Sequence, residues 1–154
     1  PMEPGLEKDQ KEINHLLQDY RINLITVEIF QTNELLTKIP PFIERADAVL
    51  ILKDNTVVGG LDVLVKLCDR HCIPLVASDL DSPDRGAAFG YGVHERDFGV
   101  EAARKALQIL HEGIPPGHIS VTPVSQFTFK INSEAAQRQG IPLSSLPEEK
   151  EVLP

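Results

Sequence analysis

Residues 48–58 read AVLILKDNTVV, and this stretch decides the fold class. Its first five residues form an uninterrupted apolar run, which is typical of a strand covered on both faces in a parallel sheet. A polar loop follows, and Asn55 or Thr56 can cap a helix over residues 57–71. A buried strand that leads directly into a helix predicts an α/β protein.

The same alternation of strand and helix extends along most of the chain. Its pattern predicts parallel strands at residues 24–30, 48–52 and 74–78, a glycine-rich extended segment at 86–93, a half-buried strand at 126–132, and helices at 6–20, 57–71, 94–111 and 133–139. Residues 143–154 are interpreted as a tail rich in Pro and Glu. The order predicts a three-layer α/β fold with a mostly parallel sheet of flavodoxin-like topology. The first element is a helix, so the strand expected before it in such a sheet is missing from the sequence.

Composition excludes several classes of function. The formal net charge is −8 over 154 residues, with no basic stripe of the kind that binds nucleic acid. The longest apolar runs are far too short to span a bilayer. Residues 1–5 have neither a basic start nor an apolar stretch, so no signal peptide is recognised there. We therefore expect either a cytosolic protein or a processed or truncated piece of a longer one.

Two cysteines, Cys68 and Cys72, lie four residues apart in the predicted helix 57–71. This spacing places both on one helix face beside apolar residues. His71 points away from that face, so no further metal ligand is at hand. We expect both thiols to be buried as small apolar side chains, and we expect no metal site.

Polar residues follow two predicted parallel strands, where ligands bind in open α/β sheets. Asp54, Asn55 and Thr56 come after AVLIL, and Ser78 and Asp79 come after the next strand. Asp54 can accept from a ligand ammonium and Asn55 can donate and accept, while Asn55 or Thr56 can equally be a helix cap only. Asp54 and Asp79 could flank one pocket. Such a pair can also do acid–base chemistry or hold Mg²⁺.

Catalytic signatures are missing from the sequence. It contains no G-x-S-x-G, no G-x-x-x-x-G-K-[ST] and no H-E-x-x-H, so no activated nucleophile or metalloprotease site is recognised. The glycines of residues 86–92 do not match G-x-G-x-x-G. Among the five histidines, His94 alone stands out, because it lies between the glycine-rich segment and the long helix.

The sequence resembles the substrate-binding proteins of ABC transporters with the type I periplasmic-binding fold. The resemblance rests on the order and spacing of five short motifs taken together. The likeness covers residues 4–141, and its branch is sometimes associated with aromatic amino acids. The motifs are AD-AVLIL-KDNTVV, IPLVASD, RGA leading to a glycine, a long helix ending in HEGIPP, and N-x-x-A-A-x-x-x-G-I at residues 132–141.

The resemblance implies a clam-like protein in which two α/β lobes, joined by three hinge strands, close on a small ligand. Residues 1–142 would be the C-terminal lobe, and residues 94–118 would normally cross to the N-terminal lobe, which this sequence does not contain. Asp54, Asn55, Thr56, Ser78 and Asp79 fall on the family's cleft-facing loops. The implied function is ligand binding for an importer with ABC permease subunits, in the periplasm or anchored outside the membrane. No catalysis and no cofactor are implied.

One position departs from the family pattern. Where the family commonly has Asp or Asn followed by an aromatic residue after the hinge glycine, this chain has His94 and Glu95. Two other functions share this fold class, namely the ligand-sensing domain of a transcription regulator and a flavodoxin-like Mg²⁺-dependent enzyme or phosphoacceptor. The apolar stripe of helix 94–111, which consists of Phe98, Ala102, Ala106, Leu107 and Leu110, also leaves two outcomes open. Either two copies form a swapped homodimer, or the helix folds back onto its own sheet.

Overall fold

A computed structural model describes residues 6–124, 126–145 and 151–153 of the 154-residue chain. Its helices and strands are interspersed along the chain. The strands are β1 (Val49–Ile51), β2 (Leu75–Ala77), β3 (Phe89–Gly92), β4 (Thr128–Asn132) and β5 (Glu151–Leu153). The helices are α1 (Leu6–Asp19), α2 (Leu35–Lys38), α3 (Pro40–Ile43), α4 (Asn55–Gly59), α5 (Leu61–His71), α6 (Glu95–Leu110) and α7 (Ser133–Arg138). Short 3₁₀ turns occur at Thr32–Glu34, Ser82–Arg85, Pro116–His118 and Leu143–Ser145.

The five strands form one sheet in the order β1-β2-β3-β4-β5. Strands β1, β2 and β3 pair in parallel, β3 and β4 pair antiparallel, and β4 and β5 pair in parallel. The prediction of an α/β protein with a mostly parallel sheet is confirmed. Strand order follows chain order throughout the described part. The segment interpreted as a tail contributes β5, whereas residues 146–150 and 154 lie outside the described residues. Residues 1–5, in which no signal peptide was recognised, also lie outside them.

Helix α5 covers one face of the sheet. Its Leu61, Leu64 and Cys68 are almost fully buried together with Leu75 and Ala77 of β2. Helices α2 and α3 pack against α5 and complete this core. The opposite face carries two stacked aromatic pairs, with ring centroids 5.7 and 5.2 Å apart, formed by Phe89–Phe129 and Tyr91–Phe127.

The strand predicted at residues 24–30 does not form, which corrects the sequence analysis. The segment contacts the core through Ile29 but pairs with no described strand. Two side chains hold its backbone instead, because Lys38 Nζ donates to the carbonyl of Glu28 at 3.0 Å and the N–H of Phe30 donates to Glu34 at 2.8 Å. A β-rich sequence becomes a strand only beside a partner strand, and none is placed there.

The motif at residues 132–141 ties the end of the sheet to the rest of the fold. Asn132 caps α7 by accepting the N–H of Ala135 at 2.9 Å, and its Nδ2 donates to the carbonyl of Pro83 at 2.7 Å. Gln139 is fully buried, and all of its polar groups are used. Its Oε1 accepts the N–H of Leu75 at 2.8 Å, and its Nε2 donates to Asp69 and to the Gly86 carbonyl at 2.9 Å each.

The two cysteines differ in environment, which corrects part of the sequence analysis. Cys68 is fully buried, as predicted, whereas Cys72 is exposed. Cys72 is the C-cap of α5 and has a left-handed backbone, with φ 53° and ψ 46°. The helix therefore ends before Cys72, and the chain turns it away from the face that Cys68 occupies.

Helix α6 stands apart from this core. None of its sixteen residues is buried, and the side chains of Phe98, Leu107 and Leu110 are 52%, 61% and 83% exposed. The helix does not fold back to bury its apolar stripe against its own sheet. No helix in the described part of the chain is long and apolar enough to cross a bilayer.

Candidate functional site

The candidate site is a concavity of about 290 Å³ at the carboxyl edge of the sheet, close to the ~300 Å³ at which ligand pockets begin. It is formed by the loops after β1 and β2 and by the connection from β3 into α6. Its walls combine charged, polar and apolar side chains, namely Lys53, Ser78, Asp79, Leu80, Asp81, Val93, His94, Glu95 and Phe98. The carboxyl edge is where open parallel sheets bind ligands.

Parallel pairing of β1 and β2 brings the first two loops together. Ser78 follows β2 directly, and its N–H donates to the carbonyl of Ile51 in β1 at 3.0 Å. In return the N–H of Lys53 donates to Ser78 Oγ at 2.8 Å. These two hydrogen bonds hold the beginnings of the two loops side by side. In the second bond the hydroxyl oxygen of Ser78 is the acceptor.

Asp79 is almost buried, with 8% of its surface exposed, and its carboxylate is directed into its own loop. Oδ1 accepts the N–H groups of Asp81 and Ser82 at 2.9 and 2.7 Å, and Oδ2 accepts the Ser82 hydroxyl at 2.8 Å. Both oxygens are therefore engaged in holding the 3₁₀ turn Ser82–Arg85. The main role of Asp79 is to shape the pocket wall, because both of its carboxylate oxygens already accept hydrogen bonds from its own loop.

Lys130 fixes the same turn from the neighbouring strands. Its side chain is only 10% exposed, and its Nζ donates to the Leu80 carbonyl at 2.9 Å and to Asp84 at 2.8 Å. A buried ammonium requires such partners, because removing it from water without them is costly. The loop that lines the pocket is thus anchored at both ends.

The opposite wall is the first turn of α6. Lys53 Nζ and Glu95 Oε1 form an ion pair at 2.9 Å that joins the loop after β1 to this turn. The hydrogen bond to Glu95 is the main cause that raises the pKa of Lys53, and the charges of Asp79 and Asp81 add to it. Three carboxylates and one lysine line the pocket, so its net charge is negative.

His94 lies at the N-cap position of α6 and faces the antiparallel pair of strands. Its Nε2 is 3.2 Å from the hydroxyl of Thr128, the residue that pairs with Gly92 across β3 and β4. This contact joins the beginning of α6 to β4. His94 therefore stands where the chain leaves the sheet and enters the helix.

Of the residues predicted from sequence, the structure brings Ser78, Asp79 and His94 together in the pocket. Asp54, Asn55 and Thr56 also follow β1 at the carboxyl edge, but they are not among the pocket residues. Asp54 is the N-cap of α4, and its Oδ1 accepts the N–H groups of Thr56 and Val57 at 2.8 and 3.1 Å. The cap is thus Asp54, one residue before the two proposed. A ligand-binding role for all six residues stays a prediction.

Sequence analysis missed Lys53, Asp81, Glu95 and Phe98 as pocket residues. The sequence could have identified Lys53 and Glu95, because Lys53 directly follows AVLIL and Glu95 is one of the two residues that depart from the family pattern. Phe98 was assigned to the apolar stripe of the helix alone. Within the described residues, no group of three or more His, Cys, Asp or Glu side chains is arranged to hold a metal ion.

Comparison with known proteins points to one class of protein. A family model described as ABC transporter substrate binding protein matches residues 1–149. An uncharacterised protein of Rickettsia prowazekii is 34% identical over 120 residues, which are 78% of this chain and 39% of that protein. A tyrosine-binding protein of Clostridioides difficile is 27% identical over 139 residues, or 84% of this chain and 40% of the relative.

Solved structures are similar in fold. An ABC domain of Streptococcus pneumoniae in complex with L-Trp matches with a TM-score of 0.80 and 23% identity, over 96% of this chain and 50% of that one. A conserved domain protein of Vibrio cholerae matches with a TM-score of 0.77 and 24% identity, over 92% and 47%. The chain thus spans about two fifths of the length of these curated relatives and about half of these solved chains.

Proposed function

Because the chain belongs to the ABC transporter substrate-binding protein family, we propose that it binds an amino acid at the carboxyl edge of its sheet for import by ABC permease subunits. The observation that carries the proposal is the pocket between the β2 loop and α6. There a lysine, three carboxylates and the ring of Phe98 surround one concavity. The action would take place in the periplasm or at the outer side of the membrane, without catalysis.

The charges of the pocket support a zwitterionic ligand. Asp81 and Glu95 are exposed and can accept from an ammonium group, whereas both oxygens of Asp79 are engaged in its loop. Lys53 can donate to a carboxylate once it exchanges its bond to Glu95 for one to the ligand. Phe98, half exposed beside these groups, can pack against an apolar or aromatic side chain.

The ligand identities of two relatives support an aromatic amino acid. One relative is named a tyrosine-binding protein, and one similar structure contains L-Trp. Phe98 gives this chain an aromatic surface for such a ligand. We therefore expect L-tyrosine or L-tryptophan to bind better than alanine or glutamate.

Calorimetric titration of the chain with L-tryptophan tests the proposal. Tryptamine lacks the carboxylate and indole-3-propionate lacks the ammonium, so both should bind at least about 10-fold more weakly if each charge is recognised. Phe98→Ala should weaken binding of L-tryptophan by a similar factor. Phe127→Ala is the matched control, because Phe127 is 56% exposed against 52% for Phe98 and does not line the pocket.

Two results would contradict the proposal. One is the absence of heat and of any rise in melting temperature with all tested amino acids, since a ligand that binds the native state must stabilise it. The other is equal weakening by Phe98→Ala and Phe127→Ala, which would place the ligand elsewhere.

A further inference from the structure

One face of β4 carries a row of polar side chains. Alternate residues of a strand lie on the same face, and Thr128, Lys130 and Asn132 alternate along β4. The intervening Phe129 lies on the other face, where its ring stacks on that of Phe89. We call Thr128, Lys130 and Asn132 the polar row of β4.

The neighbouring strand leaves space above it for the polar row. Gly92 and Gly90 of β3 pair with Thr128 and Lys130, and neither glycine has a side chain that could fill this space. The loop after β2 occupies it instead. A Cβ atom at Gly90 would collide with the carbonyl oxygen of Asp79, and one at Gly92 would lie 3.2 Å from Asp79 Cα. The loop therefore lies directly on the backbone of β3, within reach of β4.

Two members of the polar row hold this loop, which forms one wall of the pocket. Lys130 Nζ donates to the carbonyl of Leu80, a pocket residue, at 2.9 Å and to Asp84 at 2.8 Å. Asn132 Nδ2 donates to the carbonyl of Pro83 at 2.7 Å. The loop is thus fixed at three points by side chains of a strand that is 45 residues or more away in sequence.

The third member contacts the other wall. The hydroxyl of Thr128 lies 3.2 Å from Nε2 of His94, where α6 begins and lines the pocket. We propose that the polar row of β4 positions both walls of the pocket, with Lys130 as its main positioning residue. None of the three residues lines the pocket itself. On the proposed function, the affinity for the amino acid should therefore depend on a strand that does not touch it.

The charge of Lys130 is better suited to positioning than to stability. Replacement of a buried ion pair by apolar side chains is often neutral for stability or even stabilising. A buried ammonium, however, directs its hydrogen bonds to particular acceptors. Here the acceptors lie on either side of the first residues of the turn Ser82–Arg85. Loss of Lys130 should thus loosen the loop more than it destabilises the rest of the fold.

Amide hydrogen exchange of the complete chain, followed by mass spectrometry without ligand, tests the positioning. The N–H groups of Asp81 and Ser82 donate to Asp79, so their exchange reports opening of the loop. Lys130→Met should accelerate exchange in residues 81–87 by about 10-fold or more, while exchange in α5 stays within about 2-fold of the unmodified chain.

Lys38→Met is the matched control for the loss of the ammonium. Lys38 Nζ also donates to one backbone carbonyl and one carboxylate, at 3.0 and 2.9 Å, and Lys38 does not line the pocket. It should leave exchange in residues 81–87 unchanged. Asp84→Ala is a second test that does not remove the buried lysine. The side chain of Asp84 is 52% exposed, and its loss should accelerate the same exchange by about 3-fold.

Calorimetric titration with L-tryptophan tests the effect on the pocket. Lys130→Met and Thr128→Val should each weaken binding by about 5–10-fold. Thr128→Ser retains the hydroxyl beside His94 and should bind like the unmodified chain. Lys38→Met should bind like the unmodified chain as well.

The outcomes separate the positioning from the proposed function. Unchanged loop exchange in a folded Lys130→Met, or in Asp84→Ala where Lys130→Met does not fold, overturns the positioning. Acceleration that is equal in the loop and in α5 overturns it too, because lower stability alone would explain it. Faster loop exchange with unaltered affinity for L-tryptophan also overturns it, and equal affinities of Thr128→Val and Thr128→Ser overturn the role of Thr128. If the unmodified chain binds no amino acid, the proposed function is contradicted, whereas selective loop exchange still supports the positioning.

Discussion

The carboxylate of Asp79 and the hydroxyl of Ser82 lie 2.8 Å apart, and both residues are buried beneath the pocket. The same carboxylate accepts two backbone N–H groups. A residue that sequence analysis assigned to ligand binding is thus first of all the residue that folds the loop. Its substitution should act on stability before it acts on affinity.

We expect Asp79→Ala to lower the free energy of unfolding by about 2–3 kcal/mol, because it leaves the buried N–H and hydroxyl of Ser82 without an acceptor. Asp79→Asn should lose less, since an amide oxygen can still accept the two N–H groups. Urea denaturation measures both changes. Equal stability of Asp79→Ala and the unmodified chain would contradict this account of the loop.

Gly90 is required by close packing between β3 and the loop after β2. A Cβ atom at this position would collide with the carbonyl oxygen of Asp79 and lie 2.7 Å from Pro83 Cγ. We expect Gly90→Ala to destabilise the chain by about 1–3 kcal/mol, the range for overpacking. Gly117→Ala is the control, because nothing lies within 4 Å of its Cβ position, and its change should stay within about 0.5 kcal/mol. Thermal unfolding of both variants would decide.

The sheet itself was predictable where apolar runs alone determine it. AVLIL and PLVAS became β1 and β2 in parallel register, because short apolar runs bounded by polar turns favour strands in such a sheet. The expected cover on both faces is incomplete, since Leu50 of β1 is 45% exposed. Residues 24–30 have an equally good strand composition but form no strand, since pairing depends on a neighbour that composition does not reveal. Local preference was sufficient in the first case and insufficient in the second.

The sequence could predict only those site residues that directly follow a strand. Ser78 and Asp79 directly follow β2, so the sheet rule located them. Glu95 and Phe98 reach the same pocket from α6, and their position depends on how the chain leaves β3. The partners of Lys130 illustrate the same limit, because Asp84 lies 46 residues away in sequence. Such contacts arise from tertiary packing.

The two cysteines should react at very different rates. Burial raises the pKa of Cys68 from 9.0 to about 12, so its thiol stays protonated as well as inaccessible, and thiolate is the reactive form. Cys72 is exposed. We expect one thiol per native chain to react rapidly with a disulfide reagent at pH 8, and Cys72→Ala to remove that fast phase. Two fast thiols would contradict the buried position of Cys68.

Cys68 should also make stability depend on alkaline pH. Its folded-state pKa is raised, so the fold favours the protonated thiol. This contribution is fully present below about pH 9 and is lost as the pH rises toward 12. The urea midpoint should fall between pH 8 and pH 10, and it should fall less in Cys68→Ala. An identical decline in both proteins would assign the effect to other groups.

Glu95→Gln tests whether the ion pair with Lys53 serves the pocket or only the fold. The two side chains are 75% and 61% exposed, so the pair should contribute less than about 1 kcal/mol to stability. Loss of the carboxylate removes a partner for a ligand ammonium and should weaken binding of L-tryptophan by about 5–10-fold. Asp62→Asn is the matched control, because Asp62 is 76% exposed and pairs with Arg85 at 3.4 Å outside the pocket. It should cost equally little stability and leave affinity unchanged.

Since the bond to Glu95 raises the pKa of Lys53, the pair is complete at neutral pH and weakens only as the pH rises above about 10.5. A calorimetric titration at pH 7 in which both variants bind like the unmodified chain would show that Glu95 holds α6 in place without touching the ligand.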